Sequence, residues 1–214
     1  MIAVIDYGMG NLRSVEKALK VCGAKAKVTS SQKELRRADK IVFPGVGAFG
    51  DTMKELKKYK LVEPMKAEIA SGKPFLGLCV GLQVLFESSE ESPGVKGLGI
   101  FKGRVRKFRF SGKDRGLKVP QMGWNDIRLA SRASSNSPLM KGIPDGAYLY
   151  FVHSYYIAPE DLSIALTVTR YGFDFVSSVA RDNIFGLQFH PEKSQETGLK
   201  ILKNFVKLSG NSWR

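Results

Sequence analysis

Phe75-Leu76-Gly77-Leu78-Cys79-Val80-Gly81-Leu82-Gln83-Val84-Leu85-Phe86 reads as an apolar strand, a sharp turn and the opening of a helix, with a cysteine at the turn. A thiol at such a bend is lifted out of the sheet edge, and flanking glycines let the backbone fold tightly and a substrate approach closely. It also faces the positive end of the helix that follows. Only the thiolate attacks a carbonyl carbon. An ordinary cysteine is roughly 3% ionised at pH 7, so a helix terminus and a cationic neighbour can raise the reactive fraction about thirtyfold. The competing reading is a small, inert core residue, the usual fate of a free cysteine.

Outward from this turn, strands and helices alternate along the N-terminal half. Residues 2–7 read as a strand, 11–22 as a helix capped by Asn11, 26–29 and 40–43 as two more strands, and 51–70 as a helical region ahead of the strand at 75–78. That order predicts an α/β fold with a mostly parallel sheet flanked by helices on both faces. From 101 to 179, short alternating segments with glycine and polar turns predict an antiparallel extension, in which the serine-rich stretch 131–137 is a surface loop. The chain closes with a helix whose buried stripe is Leu199, Ile201, Leu202, Phe205 and Val206, with Lys200, Lys203 and Lys207 on the wet face. With 214 residues and no internal repeat, one domain over 1–214 is expected.

Ile184-Phe185-Gly186-Leu187-Gln188-Phe189-His190-Pro191-Glu192 supplies a partner for the thiol, an apolar strand that runs into His190 and then Pro191. The chain has two histidines, so a cysteine hydrolase built from it has few imidazoles to choose from. Glu192, across a proline that stiffens the turn, is placed to accept the second imidazole N–H, which fixes the tautomer and steadies the imidazolium. Cys79, His190 and Glu192 thus make a nucleophile, a base and its orienter. His153 is the alternative base, because 148–156 also reads as a strand ending in a polar cluster. No acid lies near it in sequence, and its expected place is the pocket lining. Neither histidine has a second cysteine or histidine at metal-ligand spacing, so no metal is expected.

The sequence carries 34 lysines and arginines against 20 acids, a net charge of +14. Such a balance invites nucleic-acid binding, but these cations are spread along the chain, mostly on the outward faces of helices. The one dense run, Lys102 to Lys118, reads as a solvated hairpin, with a surface for an acidic protein or anionic ligand as the alternative. No apolar stretch approaches the roughly 18 residues of a membrane span, and the N-terminus lacks the basic flank of a signal peptide. Two cysteines without a disulfide framework fit the reducing cytoplasm. Cys22 shares helical spacing with Leu12, Val15 and Leu19, which puts it on an apolar face as an inert thiol.

Pro44-Gly45-Val46-Gly47-Ala48-Phe49-Gly50 formally matches the dinucleotide fingerprint. It follows the third strand, however, and the acids about 20 residues on, Glu63 and Glu68, lie in a helical pattern. The other use of such a loop is to turn backbone N–H groups toward developing negative charge. A donor from Val46 or Gly47, together with the N–H of Val80, would make an oxyanion hole, each donor worth about 100-fold to 1000-fold in rate. A tight turn without a ligand is the plain alternative.

Pro44-Gly45-Val46-Gly47, Gly77-Leu78-Cys79-Val80-Gly81-Leu82-Gln83 and Phe189-His190-Pro191-Glu192, in that order, make the chain resemble the class I glutamine amidotransferases over nearly its whole length. Asp6-Tyr7-Gly8-Met9-Gly10-Asn11, Val119-Pro120-Gln121-Met122-Gly123-Trp124-Asn125, Phe151-Val152-His153-Ser154-Tyr155 and Lys193-Ser194 narrow the likeness to the branch that serves the imidazole glycerol phosphate cyclase of histidine biosynthesis. Relatives there often carry Met at Leu82 and His at Gln121. The resemblance implies a flavodoxin-like fold and hydrolysis of L-glutamine to glutamate and ammonia through a thioester, without a cofactor. It implies that Gln83, Gly47, Glu91, Ser154 and Tyr155 line the glutamine site, with Glu91 meeting the substrate ammonium. From the residues alone Glu91 is a solvated acid in the run 87–91. A heterodimer with a cyclase barrel is implied as well, since ammonia released into water is protonated and lost. Asn11, Trp124 and Lys193 are the interface candidates, although tryptophan is more often a core residue. Two other readings stay open. One is a glutaminase of a different synthase or a free-standing thiol hydrolase of the same fold, and the other is a catalytically silent basic binding module.

Overall fold

The computed structural model describes residues 1–9 and 11–209. In chain order its main elements are β1 (Ile2–Ile5), α1 (Leu12–Val21), β2 (Ala26–Thr29), α2 (Gln32–Arg37), β3 (Lys40–Gly45), α3 (Phe49–Lys58), α4 (Val62–Ala70), β4 (Phe75–Cys79) and α5 (Val80–Gln83). Then come β5 (Ser88–Ser89), β6 (Gly103–Lys107), β7 (Gln121–Leu129), β8 (Ala147–His153), β9 (Tyr155–Pro159), β10 (Ala165–Tyr171), β11 (Phe173–Arg181), β12 (Ile184–Leu187) and α6 (Gln195–Lys207). One sheet runs β2-β1-β3-β4-β12-β11-β10-β7-β8. Its first five strands are parallel, the order of a flavodoxin-like doubly wound sheet, and from β12 onward the pairing is antiparallel. β9 pairs with β11 and β6 to complete the extension.

The alternation of side chains on the parallel strands explains the layers. Ile2, Val4, Val42, Leu76 and Leu78 face one way and pack with Val15 and Leu19 of α1 and Ile201, Leu202 and Phe205 of α6. Ala3, Ile5, Ile41, Phe43 and Phe75 face the other way, toward Leu35 of α2, Met53 and Leu56 of α3, and Met65 and Ile69 of α4.

Several boundaries differ from expectation for local reasons. The helical region at 51–70 is two helices, broken where Lys60 takes a φ of 54°. Asn11 precedes α1 but its side chain makes no capping hydrogen bond. The helix after Cys79 is a single turn, because the Val84 and Leu85 carbonyls that would continue it accept the N–H groups of Leu98, Ile100 and Phe101. α2 was not expected, and Ser31 caps it by accepting the Glu34 N–H. In the basic run, Arg106 and Arg109 pair with Glu90, and most of its other cations are exposed.

Candidate active site

Cys79 ends β4 where the backbone must turn into α5, and it does so at φ 52° and ψ −109°, a left-handed conformation that costs a side-chain-bearing residue about 1–3 kcal/mol. The turn fits because Gly81 lies against the Phe43 carbonyl, where a Cβ would clash. Next to β4 in the sheet is β12, with Leu78 paired to Leu187. Its continuation delivers His190 beside Cys79, so thiol and imidazole stand at the carboxyl ends of neighbouring parallel strands, where α/β sheets place their ligands. His190 is held by its backbone. Its N–H donates to the Tyr150 carbonyl at 2.9 Å, and its carbonyl accepts from Ser194 Oγ at 2.6 Å. Ser194 Oγ also accepts the Tyr150 N–H. The turn Pro191–Lys193 folds Glu192 back so that Oε1 lies 2.9 Å from His190 Nδ1, with both side chains almost wholly buried.

Burial alone would depress His190, but the Cys79 sulfur and the Glu192 carboxylate outweigh it and push His190 up to about 10. No well-formed hydrogen bond joins Nε2 to the sulfur, yet the sulfur is near enough to act on the imidazole charge. His153 behaves oppositely. Burial holds it down to about 4, against the hydrogen bond that Nδ1 makes to the Tyr155 carbonyl at 2.8 Å, and His190 nearby adds to the depression. The two imidazoles are thus pushed in opposite directions, His190 toward its protonated form beside the Cys79 sulfur and His153 toward its neutral one.

A cavity of about 390 Å³ opens over Cys79. Val46, Gly47, Val80, Gln83, Glu91, Ser154, Tyr155, His153, His190 and Lys193 also line it, while Glu192 sits behind His190. The expected site residues thus converge, with particulars that sequence did not supply. Val46 N–H donates to the Tyr7 hydroxyl at 3.4 Å and so is already engaged, while Gly47, with a φ of 98°, lines the cavity beside it. Val80 is the first helical residue, and its N–H has no partner within the helix. Glu91 is not a solvated acid, since its Oε2 accepts the Phe49 N–H at 2.7 Å at the start of α3. Gln83 spends Nε2 on the Tyr155 carbonyl and on Gln188 Oε1. Gln121 is buried opposite His153, and Leu82 is fully buried against Gly186.

Three residues to which sequence reading gave no role at the site lie against it: Tyr7, Ser194 and Gln188. Gln188 had a visible signal, a lone amide in an apolar strand two residues before His190. Of the interface candidates, Lys193 reaches the cavity rim, its Nζ 5.8 Å from the Tyr150 ring centre. Trp124 is 45% exposed on β7 beside Tyr150, and Asn11 is exposed at the start of α1. Cys22 is half-buried with Sγ 3.3 Å from the Leu199 carbonyl, and burial pushes its thiol up. Among the described residues no helix is long and apolar enough to cross a membrane, and no cluster of three His, Cys, Asp or Glu side chains is placed to hold a metal ion.

Residues 3–208 match the family described as glutamine amidotransferase class-I, and the chain belongs to that family. It is 50% identical over 208 residues to imidazole glycerol phosphate synthase subunit HisH of Caldanaerobacter subterraneus subsp. tengcongensis, covering 97% of this chain and 98% of that relative. The protein of the same description from Nitrosococcus oceani is 50% identical over 213 residues, covering 99% of each. Among solved structures, a crystal structure of glutamine amidotransferase aligns with a TM-score of 0.71 at 17% identity, covering 97% of this chain and all of that one. A structure of PurLQS from Thermotoga maritima gives 0.71 at 19%, covering 96% of each. These two likenesses speak to the fold.

Proposed function

We propose that this chain is the glutaminase subunit of an imidazole glycerol phosphate synthase, hydrolysing L-glutamine to L-glutamate and ammonia for a cyclase subunit in histidine biosynthesis. The observation that carries the reading is the meeting of Cys79 and His190 over one cavity, with Glu192 at the far side of the imidazole, in a chain of this family.

In this reading Cys79 attacks the side-chain carboxamide, and the oxyanion that forms is met by the N–H groups of Val80 and Gly47. His190, already protonated, gives its proton to the departing ammonia. Acylation then removes the sulfur's negative charge, one of the two influences that hold the proton on His190. The imidazole left behind is therefore a better base, suited to activating the water that hydrolyses the thioester, while Glu192 keeps it oriented. Glu91, Ser154, Tyr155 and Gln83 line the cavity and in this reading bind glutamine, with Glu91, the one carboxylate of the lining among the described residues, meeting the ammonium group.

The partner is a cyclase subunit in a heterodimer. Met122 and Trp124 of β7 and Tyr148 of β8 are exposed large apolar side chains, Trp124 packs beside Tyr150, and Lys193 reaches over the Tyr150 ring from the cavity rim. An aromatic and apolar surface beside the exit of the site suits docking. Asn11 belongs to the same reading, and residues 1–214 are taken as one domain with no cofactor or metal. Amino-acid biosynthesis of this kind assigns the protein to the cytoplasm.

The test is glutamate release with and without the cyclase and its nucleotide substrate. Turnover that needs Cys79 and rises when the loaded cyclase is added supports the proposal. High turnover indifferent to the cyclase favours a free-standing hydrolase, and no turnover under either condition favours a silent binding module.

A further inference from the structure

Gln188 is completely buried, immediately after β12, and no step above uses it. Its backbone N–H donates to the Ser177 carbonyl, and its side-chain Nε2 lies 3.6 Å from Cys79 Sγ. Its Oε1 accepts from Gln83 Nε2 at 3.1 Å, and the same nitrogen of Gln83 donates to the Tyr155 carbonyl at 3.0 Å.

The direction of this relay is set from its far end. A backbone carbonyl only accepts, so Gln83 must turn its NH2 toward Tyr155. The second hydrogen of that NH2 then points at Gln188, which must answer with oxygen, leaving its own NH2 for the sulfur. Rotating either amide by half a turn would set donor against donor or acceptor against acceptor in a buried place, where an unmade hydrogen bond is costly.

We infer that Gln188 is a positioning residue for the glutaminase reaction, its amide N–H held by Gln83 so that it donates to the Cys79 sulfur and favours the thiolate. The inference rests on Cys79 being the nucleophile. A sulfur anion accepts such a bond more strongly than a thiol does, and the buried setting strengthens the preference. Gln188 and His190 are two residues apart, so one strand end brings both an amide donor and a cationic ring to the same sulfur. Gln83 thereby has a task besides lining the cavity, which is to fix the orientation of its neighbour's amide.

The test is the rate of iodoacetamide alkylation of the full-length chain without glutamine, followed from pH 4 to pH 10 by peptide mass mapping, with Cys22 as the internal reference. Gln188→Met keeps the volume and removes the donor, while Gln188→Glu places an anion at the sulfur. The expected result is that the midpoint of the Cys79 pH–rate curve rises by about one pH unit in Gln188→Met, a roughly tenfold loss of reactivity below it. Gln188→Glu should move it further, and Cys22 should be unaffected. Glutamine turnover should fall through kcat with KM little changed. Gln83→Met, which frees the Gln188 amide to rotate, should give a smaller shift of the same sign and decides the matter should Gln188→Met fail to fold. An unchanged Cys79 profile in the variants that fold, with turnover still dependent on Cys79, overturns the role of Gln188. Turnover that survives Cys79→Ala overturns the proposed nucleophile instead.

Discussion

Acidification from pH 7 to pH 5 is expected to weaken this protein through His153. The ring lies among Phe108, Phe151 and Phe175, with centre distances of 5.2, 5.7 and 5.4 Å. Its Nδ1 faces the Tyr155 carbonyl, which only accepts, so Nδ1 carries the proton of the neutral ring, and Nε2 is buried with no partner among the described residues. A second proton would place a cation there with nothing to receive it, close to His190. Unfolded, His153 titrates near 6.5, whereas in the fold it is held down to about 4. Between those values the unfolded chain binds more protons than the folded one, so stability is intact above about 6.5 and falls as pH drops through the window. A displacement of that size is worth about 2 kcal/mol at pH 5 and about 3 kcal/mol below pH 4. His153→Phe keeps a ring in the aromatic cluster and deletes the titration. Urea unfolding of both proteins at pH 7 and pH 5 should show a loss smaller by about 2 kcal/mol in the variant, whatever its stability at neutrality. Parallel losses in the two proteins, or an NMR titration placing the His153 ring near 6.5, would refute the reasoning.

Gly81→Ala should destabilise the fold by about 3 kcal/mol or more, because its Cβ meets the Phe43 carbonyl, while Gly116→Ala, with open space around it, should change little; thermal unfolding of the pair checks this. Glu192→Gln takes the carboxylate from His190 Nδ1 and should lower kcat for glutamine on the order of 100-fold to 10,000-fold with the fold retained, so wild-type turnover would dismiss Glu192 as the orienter. Trp124→Ala should weaken binding to the cyclase subunit by about 2 kcal/mol, roughly thirtyfold in Kd by calorimetry, and leave the isolated chain's own glutamate release as it was.

What sequence made legible was whatever repeats at short range. The strand ending at Cys79 and the strand leading to His190 announce themselves as apolar runs that stop at a polar residue, and the glycines mark the turns. α2 went unseen because it buries only Leu35, too little for a periodic stripe, although Ser31 and Glu34 have the spacing of a helix start. The break at Lys60 has no compositional mark, since lysine rarely adopts a positive φ. Long-range partners left no trace either. Nothing in the local pattern says that Tyr7 takes the Val46 N–H, that Glu91 reaches Phe49, or that Gln188 points at Cys79. Those depend on which strands become neighbours, and that is a property of the finished sheet.

The insertion of β12 between β4 and β11 has a consequence during synthesis. When Cys79 is added to the growing chain, the imidazole that will stand beside it is still more than a hundred residues from being made. Until β12 zips into place the sulfur has no imidazole beside it. The proposed nucleophile therefore meets its proposed base late, with the last seam of the sheet.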